Sequence, residues 1–310
     1  MDAAFSRREF IHAAATAILA PQWIRMPTAA PTRLILLGTA GGPRPRRTRA
    51  APSQVIVVGD RAYVVDCGNG VARQLVLAGV PLAQIQHLFL THQHSDHNAD
   101  LGTLLLIAWT GGLRTNVGVW GPPPVTRMLE QFFAMQASEM QTRIADEGRV
   151  PLIPLVQPHE ILHGGALLDD GVMRVTAAIV QHPPVTPSFA YRFDSADRSI
   201  VISGDTVPSD SLIALARGAD VLVHEAMMPS AVDRLVANVA NASRLRESIL
   251  SHHTSAVEAG RAAQAAGVRT LVLSHLIPAE DPLVTDEMWL DSARTHFRGT
   301  VILGRDLMEI

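Results

Sequence analysis

Thr91-His92-Gln93-His94-Ser95-Asp96-His97 follows directly on the apolar run Ile85–Leu90 and spells H-x-H-x-D-H. Side chains at i and i+2 of an extended segment point the same way, so His92 and His94 can bind one cation. Asp96 and His97, beyond the turn, then reach a second. Neutral imidazole with carboxylate is the usual ligand set of hydrolytic zinc, so the stretch reads as two half-built metal sites rather than a histidine-rich loop.

Further ligands are offered downstream at strand ends. His182 follows the apolar run Val175–Val180. Asp205 sits in Ser203-Gly204-Asp205-Thr206, after the β-like stretch Ser199–Ile202, where a glycine lets the backbone turn sharply and aim a carboxylate inward. A carboxylate has two oxygens and can bridge two cations. His275 follows another short strand pattern, Thr270–Ser274. One histidine at a strand end is more often structural than ligating; the concurrence of these positions makes the case.

With these residues in place, the chain resembles the metallo-β-lactamase-fold hydrolases, within them the ribonuclease Z and arylsulfatase-like branch, over about Arg33–Ile310. Supporting segments run in order: Leu37-Gly38-Thr39-Ala40-Gly41-Gly42-Pro43, Asp66-Cys67-Gly68 and Gly121-Pro122-Pro123. The resemblance implies an α/β fold, a four-layer αββα sandwich. It implies that His92, His94, His182 and Asp205 surround one metal, and that Asp96, His97, His275 and the shared Asp205 surround the other. Asp66 is implied to orient the metal loop. His224-Glu225-Ala226 and His253-Thr254-Ser255 match two further family segments. By that correspondence the catalytic set is His253, Glu225 and Asp96, with His253 on the substrate oxygen, Glu225 holding its imidazole, and His252 a bystander. A simpler role competes: Thr254, Ser255 and Glu258 can merely open the Ala-rich helix that runs to Ala266.

Two cations sharing Asp205 would supply hydroxide at neutral pH without a dedicated base. Zinc suits histidine-rich, thiol-free ligation, with manganese or iron(II) as the other metals such a site accepts. The choice of ester is read from departures. In ribonuclease Z a long arm that grips transfer RNA lies between the His182-like ligand and the bridging aspartate, whereas only residues 183–204 intervene here. The segment His275-Leu276-Ile277-Pro278 also lacks the arginine the family places near phosphate. These departures point to a small anionic ester, an aryl sulfate or phosphodiester. Ribonuclease Z-type 3′ processing of transfer RNA is the alternative, and lactone, carboxylic ester and dehalogenation chemistry stay open. A non-hydrolytic metal-binding or oxygen-handling role ranks last, because all five histidines of the pattern are present.

The 310 residues, 47% hydrophobic, can bury a large core, and no repeat or low-complexity linker divides them. The formal charge of -3 and the lack of basic runs beyond Arg44–Arg49 weigh against a nucleic-acid partner. Arg44, Arg46, Arg47 and Arg49 read first as solvated arginines of a Pro-rich loop, and second as contacts to an anionic substrate. Cys67 is the only cysteine, so no intrachain disulfide forms. The sequence leaves a homodimer open.

Residues 1–30 read separately from the hydrolase domain, 31–310. Ser6-Arg7-Arg8-Glu9-Phe10-Ile11 precedes a short Ala-rich stretch, His12–Ala20, and resembles a twin-arginine export signal. That stretch is too short to span a bilayer, so no stable membrane anchor is expected. A functional signal makes the protein periplasmic or secreted; a silent one leaves it cytoplasmic.

Strand-like runs are expected at Leu34–Leu37, Gln54–Val58, Ala62–Val65 and His87–Leu90, with a helix at Val71–Ala78 and a long helix at about Val125–Ile144. A second half repeats the theme near Met173–Val180, Phe189–Phe193, Ser199–Ile202, Val221–Val223 and Thr270–Leu273. Trp109, Phe132 and Phe133 are candidates for the cleft wall or for the core.

Overall fold

The computed structural model describes Met1 and residues 31–310 apart from Asn238; the export-signal reading falls on residues outside the described ones. Residues 31–310 form one compact unit.

Leu34-Ile35-Leu36-Leu37 shows how the layers arise. Successive strand side chains face opposite ways, so a strand buried on both faces is apolar without alternation. Leu34 and Leu36 enter a core between two sheets, while Ile35 and Leu37 enter a core under helices. The first sheet holds β1 (Arg33–Gly38), β2 (Ser53–Val58), β3 (Arg61–Val65), β4 (Ile85–Phe89), β5 (Val117–Gly121) and β6 (Val156–Glu160). The second holds β7 (Gly165–Asp169), β8 (Arg174–His182), β9 (Val185–Asp194), β10 (Ser199–Ile202), β11 (Val221–Met227), β12 (Thr270–Ile277) and β13 (Thr300–Leu303). The C-terminal β14 (Met308–Glu309) returns to pair with β1. The orders are β14-β1-β2-β3-β4-β5-β6 and β13-β12-β11-β10-β9-β8-β7, seven strands each.

Each sheet is antiparallel at its start and parallel afterwards: β3 to β6 in the first, β10 to β13 in the second. Helices α1 (Val71–Leu77), α2 (Ser95–Asn98), α3 (Leu101–Thr110), α4 (Val125–Met135) and α5 (Ala137–Glu147) belong to the first half, and α1, α3 and α4 cover its sheet. In the second half come α6 (Asp210–Ala216), α7 (Val232–Ala237), α8 (Leu245–His252), α9 (Ala256–Ala266) and α10 (Asp286–Arg294), of which α6, α9 and α10 cover the sheet. Phe89, Phe193 and Tyr191 meet between the sheets, with the Phe89 and Phe193 rings edge-on at 5.2 Å. The result is the expected αββα sandwich.

One expectation changes and one open choice resolves. The long helix is two helices, because Gln136 (φ −94, ψ 10) leaves helical geometry between α4 and α5. Trp109, Phe132 and Phe133 pack in the core: Trp109 is 1% exposed and donates to the Val150 carbonyl at 2.8 Å, and Phe132 presses its ring on Gly102. No described helix is long and apolar enough to cross a membrane.

Candidate metal centre

The carboxyl ends of β4, β8 and β10 meet at one edge of the sandwich, and each delivers a ligand candidate there. His92 and His94 follow β4, with Asp96 and His97 in α2; His182 ends β8; Asp205 follows β10 through Gly204. Gly204 has φ +59, and a Cβ on it would meet the Phe189 carbonyl oxygen at 2.7 Å, so the turn that aims Asp205 needs glycine. His275 arrives differently. Ser274 pairs with Glu225 and Leu276 with Ala226, so His275 is an extra residue in β12, a bulge with φ 45 that re-aims one side chain. Such backbone strain is held only where the surroundings fix it.

Two groups of donor atoms hold the ligand candidates, and a third joins His253 to Asp205 and His275. His92, His94, His182 and Asp205 each bring one donor within 4.8 Å of the others, and so do Asp96, His97 and His275. His94 Nδ1 lies 2.9 Å from His92 Nε2 and 3.1 Å from His182 Nε2. Asp205 stands between the groups: Oδ1 is 3.4 Å from His97 Nε2, and Oδ2 is 3.3 Å from His275 Nε2 and 3.8 Å from His92 Nε2. The structure therefore brings together all seven ligand candidates read from the sequence.

Hydrogen bonds on the far side of the rings test whether cations fit. His182 Nδ1 donates to the His252 carbonyl at 2.9 Å, and His97 Nδ1 lies 2.7 Å from Asp66 Oδ2. His92 Nδ1 meets Thr91 Oγ1 at 3.0 Å, while that hydroxyl is itself held by Asp66. These bonds place the ring protons outward and leave the Nε2 lone pairs converging on carboxylate oxygens. His97 Nε2 and Asp205 Oδ1 are buried and have no hydrogen-bond partner. Lone pairs facing lone pairs in a buried site call for positive charge.

Electrostatics agree. Burial opposes charge on His97, yet Asp205, Asp66 and Asp96 hold its imidazole well above the usual histidine range. Burial likewise opposes charge on Asp205, yet His275 and His97 hold it well below the usual carboxylate range. Burial pushes His182 down to about 4 and His92 well down, so both offer neutral nitrogen at pH 7. The residues fit divalent cations, zinc foremost among them.

His253 and Glu225 form a separate pair. His253 ends α8 as its C-cap, and Ser255 caps α9 by accepting from the Glu258 amide at 3.2 Å. The helix opening and the dyad thus coexist in one segment. His253 Nδ1 lies 2.9 Å from Glu225 Oε2, and Glu225 Oε1 accepts from the Thr206 amide at 2.6 Å. Burial pushes the His253 imidazole down, but the Glu225 carboxylate holds it up to about 9.

Some positioning groups escaped the sequence reading. Thr91, the Gly42 amide on Asp96 (3.0 Å), Thr206 and the His252 carbonyl are backbone or small polar contacts across long sequence distances. The His252 side chain lies on Ser248 Oγ at 3.1 Å, edge-on to the His182 ring at 6.2 Å, and belongs to none of the donor groups.

A cleft of about 260 Å³ opens on this centre. Asp96, Asp205, His94, His253 and His275 form its floor, Leu235, Leu245 and Ile249 one wall, and Gly41, Gly42, Pro43, Arg44 and Arg46 another. The arginine loop is therefore not simply solvated: two of its members face the centre.

The fold and the site define a metal-dependent hydrolase, and comparison with known proteins narrows the class. Residues 61–276 match the family described as "Beta-lactamase superfamily domain". Ribonuclease Z of Mycobacterium bovis (strain BCG / Pasteur 1173P2) is 36% identical over 280 residues, 89% of this chain and 97% of that protein. Ribonuclease Z of Mycobacterium sp. (strain KMS) is 38% identical over 277 residues, 89% of this chain and 94% of that protein. In structure, human tRNase Z, short form, superposes with a TM-score of 0.65 at 21% identity, over 90% of this chain and 98% of that one. The chain belongs to the β-lactamase superfamily, as a metallo-β-lactamase-fold hydrolase of the ribonuclease Z branch. It is a metal-dependent hydrolase acting on ester bonds. Two expectations are corrected. The aryl sulfate substrate draws no support from these relatives, and their names weigh against the expectation that nucleic acid is no partner.

Proposed function

We propose that this chain is a ribonuclease Z-type endonuclease that hydrolyses a phosphodiester near the 3′ end of an RNA. The observation that carries the reading is near full-length similarity to proteins named ribonuclease Z, in a chain that keeps both donor groups and the Glu225–His253 pair. His92, His94 and His182 would hold one cation, Asp96, His97 and His275 the other, and Asp205 both. Two cations held there supply Lewis acidity and hydroxide at neutral pH. The protein's own groups do the rest. Asp66, Thr91 and the His252 carbonyl keep the imidazoles oriented. Glu225 holds a proton on His253, whose ring lines the cleft and can donate to the departing oxygen.

One observation favours a second reading, hydrolysis of a small anionic phosphodiester. Residues 183–204 are consumed by the β9–β10 hairpin of the sheet itself, so no arm rises there to grip a large RNA. The purified, metal-loaded chain is therefore assayed on a precursor transfer RNA with a 3′ trailer beside bis(p-nitrophenyl) phosphate and an aryl sulfate. A single endonucleolytic cut at the trailer, lost in His253→Gln, is the expected result. Turnover of the small diester with no RNA cut would hand the assignment to the second reading.

We also propose that residues 1–30 act as a twin-arginine address, a reading that competes with a cytoplasmic RNA substrate. Fusing residues 1–31 to a folded reporter should carry it across the inner membrane, and Arg7→Lys with Arg8→Lys should retain it in the cytoplasm. Export that persists in the double variant, or none in either, discards the address.

A further inference from the structure

The segment between β1 and β2 is fixed at both ends while leaving Arg44 and Arg46 without partners among the described residues. At its root, the Gly41 amide donates to the Leu276 carbonyl at 3.1 Å, and the Gly42 amide donates to Asp96 Oδ2 at 3.0 Å. A Cβ on Gly41 would meet Ile277 Cγ1 at 2.5 Å, so the loop lies too close to β12 for any side chain. At its far end, the Thr48 amide and hydroxyl both reach Glu280 at 2.6 Å, and Arg49 spans Thr39 and the Gly304 carbonyl. Between these anchors, Arg44 and Arg46 line the cleft and form no ion pair or side-chain hydrogen bond with any described residue. Arg46 is half-buried, and its Nε is shielded from solvent without a partner.

Two guanidiniums side by side are mutually repulsive and burial adds to the cost; Glu280, already held by Thr48, offsets only part of it and forms no ion pair with Arg46. Burial first, and then the charge of Arg44, hold Arg46 below the usual arginine range. Other half-buried arginines are held by partners, Arg49 by Thr39 and the Gly304 carbonyl and Arg192 by Asp194, whereas Arg46 has none. Its free donors face the same space as His94, Asp96 and His275. Nothing cationic reaches that space from His275-Leu276-Ile277-Pro278. A guanidinium fork matches phosphate oxygens, and a fixed loop presents it with little further loss of freedom.

We propose that Arg44 and Arg46 form an anion subsite for the backbone phosphate adjacent to the scissile one, so that the cleft selects single-stranded polyanions over isolated diesters. The inference rests on the phosphodiester reading of the centre. Leu235, Leu245 and Ile249 are the apolar part of the lining, so beside the His253 imidazole the two arginines are the cationic groups among the described cleft residues, and a second phosphate is drawn toward their loop. The cleft is at or below the small end of ligand pockets, so it takes one nucleotide and its flanking phosphate, not a duplex.

The test compares Arg44→Ala/Arg46→Ala with the unaltered chain, with Arg174→Ala on β8 as the control for net charge. Binding of fluorescein-labelled pentathymidylate is measured on metal-loaded protein carrying His253→Gln to slow turnover, between about 50 and 200 mM salt, the range over which phosphate contacts are read. The double variant should bind about 10-fold more weakly at low salt, and its slope of log K against log salt should fall by about one to two. In the active background, the ratio of kcat/KM for a short RNA to that for bis(p-nitrophenyl) phosphate should fall by a similar factor. Unchanged affinity and slope, or an equal loss for Arg174→Ala, overturns the subsite. Because binding is read without cleavage, failure of the chain to cut RNA leaves this outcome interpretable on its own.

Discussion

Asp205→Ala should strip the protein of bound metal and abolish hydrolysis, the largest loss expected from any single substitution. Asp205 is 2% exposed and lies within 3.3 to 3.9 Å of ring nitrogens on His275, His97, His92, His253 and His182. It belongs to the first donor group and also lies within 3.4 Å of ring nitrogens in the second. Removing it leaves five imidazoles around two dications with only Asp96 as a carboxylate ligand. Metal content by mass spectrometry after mild dialysis should fall from about two per chain toward zero, with turnover below detection. Thermal unfolding of metal-stripped samples guards against a trivial outcome: the metal-stripped variant should melt cooperatively, near the metal-stripped parent. His252→Ala offers the contrast, because only its carbonyl supports His182 and the substitution keeps that carbonyl. Retention of both metals and near-native turnover by Asp205→Ala would falsify the shared position assigned to it.

The chemistry of this centre was legible because it is concentrated. Four of the ligand candidates sit in one heptapeptide, and the others end strand patterns that period and composition reveal. What holds them was not. The His252 carbonyl and the Gly42 amide are backbone groups, which carry no side-chain signal, and each acts on a residue far away in sequence. The bulge at His275 is equally silent, since it depends on how β11 and β12 register. Helix α4 was expected to run on through Gln136 because Ala134-Met135-Gln136-Ala137 are all good helix formers; propensity has no view of a break imposed by packing. Strand β6 was missed for the opposite reason. Val156-Gln157-Pro158-His159-Glu160 lies at a sheet edge with four of its five residues exposed, so neither alternation nor an apolar run marks it, and its proline is tolerated only there. The arginine loop shows the limit from the functional side: composition reads it as solvated, and only the fold turns Arg44 and Arg46 toward the ligands.

His253→Gln should lower kcat by about 10²-fold or more while leaving metal content intact, as loss of a general acid or oxyanion donor does. The side chain sits at the cleft floor, Nδ1 on Glu225, beside Asp205 but outside the two donor groups that the sequence pattern assembles. Its pH signature follows from the sign of the shift. A histidine whose pKa is raised carries its proton below that pKa and loses it as pH rises through it, so the step that needs a proton donor is supported at neutral pH and fails on the alkaline side. Glu225 is the group that raises it, against burial that lowers it. Glu225→Gln keeps the size and one hydrogen-bonding oxygen but removes the charge, so the alkaline limb of kcat should move to lower pH relative to the parent. In His253→Gln the same limb should vanish rather than move. A merely structural role for the pair predicts a different pattern: lower activity at every pH with the limb in place. That outcome in both variants, alongside normal metal content, would remove His253 from the chemistry and leave it as the C-cap of α8.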